Sequence, residues 1–532
     1  MNNISNTISR LHKQAEQALG NKAYQQAHQC LLSILQQDRG YADAYYLLAR
    51  IAFEHQNLAK AIELCSKAQS LAAKSHYLVM LAKLYVLAHD HVRASTEADN
   101  ALRLLTTAKA TANITQTVRN DLGQQWDDMG VIYSQVGRHV DAVSCFERAI
   151  DMLGDQHQVP WQLYNNLASS YKYIGHVSAA DECYQSALVN KPDAASVHWA
   201  LTMLRPNKVA LNRLQAQFER AVGIDDKLSL AHACARKLEQ QGHYNEAFSV
   251  LSPVKQQKKA QLSYRIEQDL RLFAALANIS QQLQTAVDDG EPSDEPIFVV
   301  GMPRTGTTLI ERVLSQSVNV TSAGEMPHFA IALKQCTGCQ SPELLDEATI
   351  QASTQINWLT LGQHYIQKTR AVTGNTSRFI DKMPINFLYI PFIVKALPNA
   401  KIVCLDRDHE DTVVSNYRQL FASDFPFYRY SYDLKDCSQY YHGYQTLMDA
   451  WQQDYAKNIY RLKYESFVND PIEQGRALFD FIGEPWQDEF INLANNRAPV
   501  ATASATQVRD TISNQSVGTW RRYQQTLSAN LV

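Results

Sequence analysis

A glycine-containing turn between an apolar segment and a helix-like segment is the first part of this sequence that could do chemistry. The turn Gly301–Thr308, GMPRTGTT, has the length of the triphosphate-binding loop GxxxxGK[ST], but threonine occupies the lysine position. Such a turn aims backbone N–H groups and a helix N-terminus at an anion. Arg304 and two threonine hydroxyls replace the lysine, which favours one phosphate joined to a sulfate over a triphosphate with magnesium. The alternative is an ordinary turn between a strand and a helix.

The segment 303–308, PRTGTT, resembles the 5′-phosphosulfate loop of the sulfotransferase superfamily, whose commoner form has serine in place of Thr305. Arg407 ends the segment KIVCLDR and Ser415 follows eight residues later, as in the family's signature for the donor 3′-phosphate. Eight residues carry the chain around a turn and into a helix, and a planar guanidinium suits phosphate. The resemblance covers about 297–523 and implies 3′-phosphoadenosine 5′-phosphosulfate as co-substrate, with no metal.

The residues that the resemblance implies for nucleotide binding are Arg304, Thr305, Gly306, Thr307, Thr308, Arg407, Ser415, Tyr464, Trp520 and Arg521. Tyr464 belongs to a segment similar to the family's YE segment, and Trp520 and Arg521 to one similar to its C-terminal nucleotide loop. Trp520 is equally compatible with core packing, and Arg521 with a solvated surface pair alongside Arg522.

Within the superfamily the sequence is most similar to the tyrosylprotein-sulfotransferase-like branch, which includes bacterial chains with fused tetratricopeptide repeats. That branch implies Glu325 as the base for the acceptor hydroxyl, although His328 is an alternative because other branches use histidine. It also implies that Lys382 and Arg304 stabilise charge on the oxygen that leaves, with Ser504 hydrogen-bonding nearby. Glu325 is also compatible with a carboxylate at a helix N-terminus.

The acceptor that the branch implies is a tyrosine of a protein or peptide, but sugars, lipids and small phenols stay open. Two other functions compete: a P-loop kinase, which the missing lysine disfavours, and a repeat adaptor whose second domain is inactive. Retention of Arg304, Lys382, Arg407 and Ser415 argues against the adaptor.

Short apolar segments that alternate with helix-like segments must position these residues. This alternation predicts an α/β P-loop-like domain with a parallel sheet covered on both faces, in which binding sites lie at the carboxyl ends of the strands. The predicted strands are 297–300, 378–380, 401–405 and 459–462, and the predicted helices are 308–314, 386–397, 411–421 and 473–481.

The first half of the chain repeats itself with a period of about 34 residues. Tyr24, Ala27, Leu31 and Ile34 recur as Leu58, Ala61, Cys65 and Ala68, and five units resemble the tetratricopeptide repeat. A degenerate sixth unit begins near Ala235, after a stretch that loses the pattern. We therefore predict an all-α tetratricopeptide solenoid over 1–255, a helical segment and acidic linker over 256–296, and a sulfotransferase domain over 297–532. The array is expected either to bind a protein or peptide acceptor or to serve as scaffold.

Composition narrows the class of protein. The chain has 532 residues and a formal net charge of −3, which argues against binding to nucleic acid or an anionic membrane. The N-terminal residues lack an apolar signal segment, and the nine cysteines are mostly isolated, so a cytoplasmic location is expected. The pair Cys336 and Cys339 is compatible with a redox or metal role, but it lacks a second ligand pair. The oligomeric state stays open.

Overall fold

A computed structural model describes residues 2–107, 115–154, 159–284, 290–341, 343–422, 425–493 and 512–530. The chain divides into two compact units, Met1–Pro192 and Asp193–Val532. The domain boundaries expected near 255 and 296 stay predictions.

The first unit is a series of antiparallel helix pairs, which confirms the predicted helical repeat array. Its helices are α1 Asn2–Gly20, α2 Tyr24–Gln37, α3 Ala42–Glu54, α4 Leu58–Leu71, α5 Ser75–Leu87, α6 His91–Thr107, α7 Gln116–Gln135, α8 His139–Leu153, α9 Trp161–Tyr173 and α10 Val177–Asn190. The turn inside each pair contains a residue with left-handed backbone, which ends the first helix. These residues are Lys22, Gln56, His89, Gly137 and Gly175.

Small residues at the repeated positions let the two helices of a pair approach each other closely. Ala15, Ala49 and Ala82 are completely buried, as the period of the sequence predicts. At the equivalent position of the fourth pair, a Cβ on Gly130 would lie 2.4 Å from the ring of Phe146. The small side chain is therefore a packing requirement of the repeat.

The second unit begins with five further helices. They are α11 Ala195–Leu204, α12 Leu211–Arg220, α13 Ile224–Gln240, α14 Tyr244–Leu262 and α15 Ile266–Gln284. The pair α13 and α14 contains the degenerate sixth repeat, and the irregular pair α11 and α12 occupies the stretch where the pattern is lost.

A five-stranded sheet follows, and all its strands are parallel, as predicted. The strands are β1 Pro296–Gly301, β2 Val320–Ser322, β3 Arg378–Asp381, β4 Lys401–Asp406 and β5 Ile459–Lys463, in the order β2-β3-β1-β4-β5. The helices around them are α16 Thr307–Leu314, α17 His328–Thr337, α18 Glu347–Ala352, α19 Trp358–Thr373, α20 Ile390–Ala396, α21 His409–Tyr417, α22 Leu434–Asp454, α23 Tyr464–Asn469, α24 Pro471–Ile482 and α25 Gln524–Asn530. Short 3-10 helices are Pro206–Lys208, Ser353–Gln355, Pro384–Tyr389, Pro426–Tyr432, Asp488–Ile491 and Thr519–Tyr523.

Helices cover both faces of the sheet, which explains why β1 is apolar at consecutive positions. Phe298 and Val300 pack into one core and Ile297 and Val299 into the other. The first of these cores also includes residues of α13, α14 and α15, so helices that precede the sheet in sequence share its core.

The sequence did not predict α17, α18, α19, α22, α23 or α25, and three further differences from the structure lie closer to the sheet. The strand β2 was not predicted, because three residues are too short to show a pattern. The helix predicted over 386–397 is a 3-10 helix followed by α20, with Pro391 near the start of α20. The helix predicted to reach residue 421 ends at Tyr417, and Arg418 caps it.

A buried carboxylate joins three distant segments of the second unit. Glu239 of α13 accepts hydrogen bonds from Nε and Nη2 of Arg418, with the Arg418 Nε–Glu239 Oε1 distance at 2.5 Å, and from the Tyr523 hydroxyl at 2.7 Å. In the same region Lys255 of α14 is buried and donates to the carbonyl of Ser431 at 2.9 Å. The repeat-like helices therefore bind to the sheet domain through polar groups as well as through their shared core.

We predict that a fragment of residues 256–532 is much less stable than one of residues 193–532. The shorter fragment lacks Glu239, and loss of one partner of a buried ion pair costs about 3–5 kcal/mol. It also exposes the core that α13 covers. Thermal unfolding of the two fragments checks this, with full-length protein as the reference. Equal melting temperatures for the two fragments would contradict it.

Candidate functional site

The carboxyl ends of the strands open onto one cleft of about 880 Å³. Its walls include residues from the phosphate-loop region, α13, α21 and the C-terminal segment. The lining residues with direct bearing on chemistry are Arg236, Glu239, Arg304, Gly306, Thr307, Thr308, Glu325, Arg407, Ser415, Arg418, Phe421, Tyr428, Tyr464, Ser516, Arg522 and Tyr523. Parallel strands place their carboxyl ends at a single edge, so loops that are distant in sequence meet there.

The turn after β1 has the backbone of an anion-binding loop. Arg304 has φ 69° and Gly306 has φ 102°, both in the left-handed region. A Cβ on Gly306 would lie 2.5 Å from Cδ2 of Tyr464, so only glycine fits between the loop and this ring. The helix α16 begins at Thr307, and its first backbone N–H groups have no partner within the helix.

The threonines of this turn have different roles. Thr307 and Thr308 line the cleft. Thr305 is 1% exposed, and its hydroxyl donates to the carbonyl of Met302 at 2.8 Å. Its side chain therefore holds the turn together and is absent from the lining of the cleft.

Arg407 and Ser415 lie together at the cleft, beside Arg304. The Nη1 of Arg407 donates to the carbonyl oxygen of Arg304 at 2.9 Å, and its guanidinium lies over the ring of Tyr464, 4.8 Å from the ring centre. The Nε of Arg304 donates to the Ser415 hydroxyl at 3.4 Å. The arginine and serine that the sequence pairs at an eight-residue spacing therefore face the same loop.

These arginines repel one another. Burial lowers the pKa of Arg304 to about 10, and the nearby charges of Arg407, Arg418 and Arg236 act in the same direction. An anion bound between them would relieve both effects, because it returns a negative charge to a desolvated cation.

Glu325 lies on another wall of the cleft, and Lys382 lies behind it. The ammonium of Lys382 donates to Glu325 and is 3.6 Å from Oε2 of Glu311. Burial by itself would lower the pKa of Lys382, but the two carboxylates outweigh it and the pKa is raised. Lys382 is completely buried and Glu325 is 37% exposed, so the carboxylate is the group that meets the cleft.

His328, the alternative base, is 3% exposed, and its Nδ1 lies 3.3 Å from the Thr369 hydroxyl. It is absent from the residues that line the cleft. The neighbouring Asp381 is also buried, and burial raises its pKa to about 7 although Tyr365, Lys382 and Asn386 act in the opposite direction. The geometry therefore favours Glu325 over both as a group that could reach an acceptor.

The C-terminal segment is bound to the cleft through Asp411. This carboxylate accepts from the backbone N–H of Gly518 at 2.6 Å and of Trp520 at 3.0 Å, and from the Thr519 hydroxyl at 3.0 Å. Arg407 also donates to the carbonyl of Ser516.

The side chains of this segment divide between cleft and surface. Arg522 lines the cleft, whereas Trp520 and Arg521 do not. The Arg521 guanidinium lies over the Trp520 ring, 5.2 Å from its centre. Ser504 lies outside the described residues.

Several residues that line the cleft were not predicted from the sequence. Arg236 and Glu239 belong to α13, in a repeat-like part of the chain where no motif suggests an anion site. Arg418 could have been found, because it follows Ser415 by about one helical turn. Phe421 was expected at the end of a helix that stops at Tyr417, and Tyr428 lies in a short 3-10 helix that no sequence pattern predicted.

Cys336 and Cys339 are both free thiols. Hydrogen bonds with Ser341 lower the pKa of Cys339 to about 7, whereas burial raises that of Cys336. The described part of the chain holds no group of three or more metal-ligating side chains. Among its helices, none combines the length and the apolar character that crossing a bilayer requires.

Comparison with protein families finds matches to parts of both halves of the chain. Residues 296–488 match the sulfotransferase family, and residues 18–84 and 162–193 match tetratricopeptide repeats. The chain thus contains a sulfotransferase-family domain preceded by tetratricopeptide repeats, as the resemblance implied.

Parts of this chain are similar to individual known proteins. An uncharacterized protein of Aquifex aeolicus is 30% identical over 67% of this chain and 48% of its own length. Protein-tyrosine sulfotransferase A of Caenorhabditis elegans is 25% identical over 38% of this chain and 54% of its own length. The sulfotransferase domain of an olefin synthase from Synechococcus PCC 7002 is 18% identical over 44% of this chain and 90% of that chain, with a TM-score of 0.32. The chain spans about half the length of the curated relatives it matches.

We predict that Gly306→Ala removes anion binding in the cleft. The new Cβ would meet Tyr464 and strain the left-handed backbone, so the loop must shift away from Tyr464 and disturb the hydrogen bond between Arg407 and the Arg304 carbonyl. The matched control is Gly338→Ala, at a glycine that also has a positive φ angle but has open space around the new Cβ. Calorimetric binding of 3′,5′-adenosine bisphosphate checks this; affinity should fall at least about tenfold in the first variant and stay unchanged in the control. Unchanged affinity in both variants would contradict the assignment of the loop.

Proposed function

We propose that this chain, in which a sulfotransferase-family domain follows tetratricopeptide repeats, transfers a sulfuryl group from 3′-phosphoadenosine 5′-phosphosulfate to an acceptor hydroxyl. The observation that carries the proposal is the meeting of a lysine-free phosphate loop with Arg304, Arg407 and Ser415 in one cleft. A donor with anionic groups at both its 5′ and 3′ positions matches cations at two places in that cleft.

The residues present fit such a donor. The glycine cradle of Gly306, the N-terminus of α16 and the side chains of Thr307 and Thr308 would hold the phosphosulfate. Arg407 and Ser415 would hold the 3′-phosphate, and Tyr464, which packs on both the loop and Arg407, would fix their separation. Thr305 supports the turn from behind. In this proposal Trp520 and Arg521 act through the position of the C-terminal segment.

The reaction breaks the bond between sulfur and the bridging phosphate oxygen and forms a bond between sulfur and the acceptor oxygen, whose proton must leave. Glu325 would accept that proton, because its carboxylate lines the cleft and is partly exposed, whereas the other lining carboxylate, Glu239, is buried against Arg418. Once Glu325 is neutral, its attraction for Lys382 falls. The ammonium of Lys382 and the guanidinium of Arg304 would then stabilise the charge that grows on the leaving oxygen. Ser504 stays a proposed hydrogen-bond donor on sequence grounds.

We propose a tyrosine of a protein or peptide as the acceptor. Phe421 and Tyr428 line the cleft on which Glu325 opens, and their ring environment suits an aromatic acceptor better than a sugar. Burial raises the pKa of Tyr428, and Glu325 adds to this, which indicates that the two side chains are close. Two curated relatives are named as protein-tyrosine sulfotransferases of Caenorhabditis elegans and Drosophila melanogaster.

The candidate nucleotide and catalytic residues all lie in the unit Asp193–Val532. This leaves the repeats of the first unit for binding of a protein acceptor, since repeat solenoids present extended surfaces. The cytoplasmic location expected from the sequence is part of this proposal.

We predict that the protein binds 3′,5′-adenosine bisphosphate far better than ATP and without magnesium. Arg407→Ala should weaken binding of the bisphosphate by about 10- to 150-fold, since a charge-assisted hydrogen bond contributes about 1.5–3 kcal/mol to binding. It should have little effect on adenosine 5′-phosphosulfate, which lacks the 3′-phosphate. The matched control is Arg476→Ala, an exposed arginine of α24. Equal thermal stabilisation of the wild type by ATP and the bisphosphate would contradict the donor assignment.

We predict that Glu325→Gln slows sulfuryl transfer by about 10²–10⁴-fold while nucleotide affinity stays nearly unchanged. Glutamine keeps the size and hydrogen bonding of the side chain but cannot accept the proton. The matched control is Glu311→Gln, which also removes a carboxylate from Lys382 but away from the cleft. Single-turnover transfer of labelled sulfate to a small phenol measures both. A Glu325→Gln variant that retains most of its rate would move the role to another residue.

A further inference from the structure

The helix α13 supplies one wall of the cleft although it lies well before the sulfotransferase-family match, which begins at residue 296. Arg236, Glu239 and Gln240 occupy positions i, i+3 and i+4, and so share one face of this helix. All three line the cleft, next to Arg418 and Tyr523.

Positive charge exceeds negative charge among the described residues that line the cleft. Five arginines and two glutamates are present: Arg236, Arg304, Arg407, Arg418 and Arg522 with Glu239 and Glu325. Glu325 is already paired with Lys382, and Arg407 lies 3.8 Å from Asp411. The cleft therefore keeps a net positive charge that an anion can neutralise.

The carboxylate of Glu239 neutralises the charge of Arg418 and has no hydrogen bond to Arg236. Its carboxylate accepts two hydrogen bonds from Arg418 and one from the Tyr523 hydroxyl. The Nη1 of Arg236 is 3.6 Å from Glu239, which is beyond a good hydrogen bond, and its Nε is buried without a hydrogen-bond partner among the described residues. A buried donor of this kind loses its interaction with water and requires an acceptor.

A short path of contacts connects Arg236 to the candidate 3′-phosphate site. Arg236 adjoins Glu239, Glu239 binds Arg418, and Arg418 follows Ser415 by about one turn. Ser415 in turn accepts from Arg304. Arg236 is also close enough to Arg304 for their repulsion to contribute to the lowered pKa of Arg304.

We propose that Arg236 is a further donor-binding residue, which binds the 3′-phosphate of the nucleotide together with Arg407 and Ser415. This inference rests on the proposed function. A phosphate monoester carries a charge of about −1.5 to −2 at neutral pH, and Asp411 already offsets part of the charge on Arg407. The guanidinium of Arg236 adds a second positive charge that balances the phosphate, and the phosphate supplies the acceptor that the Nε of Arg236 lacks among the described residues. The last repeat-like helix pair is thereby part of the donor site.

The test compares nucleotide binding by the full chain and its variants in the absence of any acceptor. Arg236→Gln should bind 3′,5′-adenosine bisphosphate about 10- to 150-fold more weakly, while its affinity for adenosine 5′-phosphosulfate changes little. The bisphosphate affinity of Arg236→Lys should lie between those of the wild type and Arg236→Gln, because lysine keeps the positive charge but lacks the paired donors of a planar guanidinium. Arg220→Gln, at an exposed arginine of α12 outside the cleft, should behave as the wild type.

Two results would overturn the inference while the proposed function stands. Unchanged bisphosphate affinity in Arg236→Gln would do so, and a raised KM for a small phenol in a separate transfer assay would then assign Arg236 to the acceptor. Equal losses for both nucleotides, together with a lower melting temperature and no recovery in Arg236→Lys, would make its role structural. A wild-type protein that does not prefer the bisphosphate to adenosine 5′-phosphosulfate would instead refute the proposed function.

Discussion

Several guanidinium groups must share one partly buried cleft in this protein, and their mutual repulsion has to be balanced. Carboxylates placed behind them do this: Asp411 lies beside Arg407, and Glu239 binds Arg418. Each carboxylate also binds the C-terminal segment, through Gly518 in one case and Tyr523 in the other. The two carboxylates that reduce the repulsion between the arginines therefore also hold the C-terminal segment in place.

This arrangement leaves no sharp structural boundary between the last repeat-like helices and the α/β domain. Residues of α13, α14 and α15 contribute to the core on one face of the sheet, and Glu239 and Lys255 bind groups beyond β4. A helix pair that reads as a degenerate tetratricopeptide repeat therefore packs as a part of the α/β domain. The repeats of Met1–Pro192, in contrast, form a unit of their own, with cores that follow the period of the sequence.

Chemistry at the cleft is organised by the sheet. Four of the strands end at or next to a residue of the loop or the candidate site: Gly301 ends β1, Lys382 follows β3, Arg407 follows β4 and Tyr464 follows β5. Glu325 comes three residues after β2. Because all five strands are parallel, these residues meet at one edge although they span more than 160 positions of the chain. The ion pair of Lys382 with Glu325 joins the proposed proton acceptor to a buried cation at this edge.

The sequence by itself determined the repeat period, the parallel α/β domain and the residues of the local motifs. Gly306, Thr307, Arg407 and Ser415 could be identified because backbone turns and strand ends leave signals over a few neighbouring positions. Glu325 was a candidate on resemblance, and the exposure that favours it over the buried His328 depends on packing.

Only the tertiary structure decided which side chains complete the cleft. Arg236, Glu239 and Arg418 come from segments about 180 residues apart, and no local pattern connects a repeat-like helix with the end of α21. Tertiary packing also decided that Arg522 and Thr307 line the cleft whereas Arg521 and Thr305 do not. The backbone of each turn sets the direction in which neighbouring side chains extend. The physical reason is that charge balance in a cleft is a sum over groups close in space, and the sequence records only groups close along the chain.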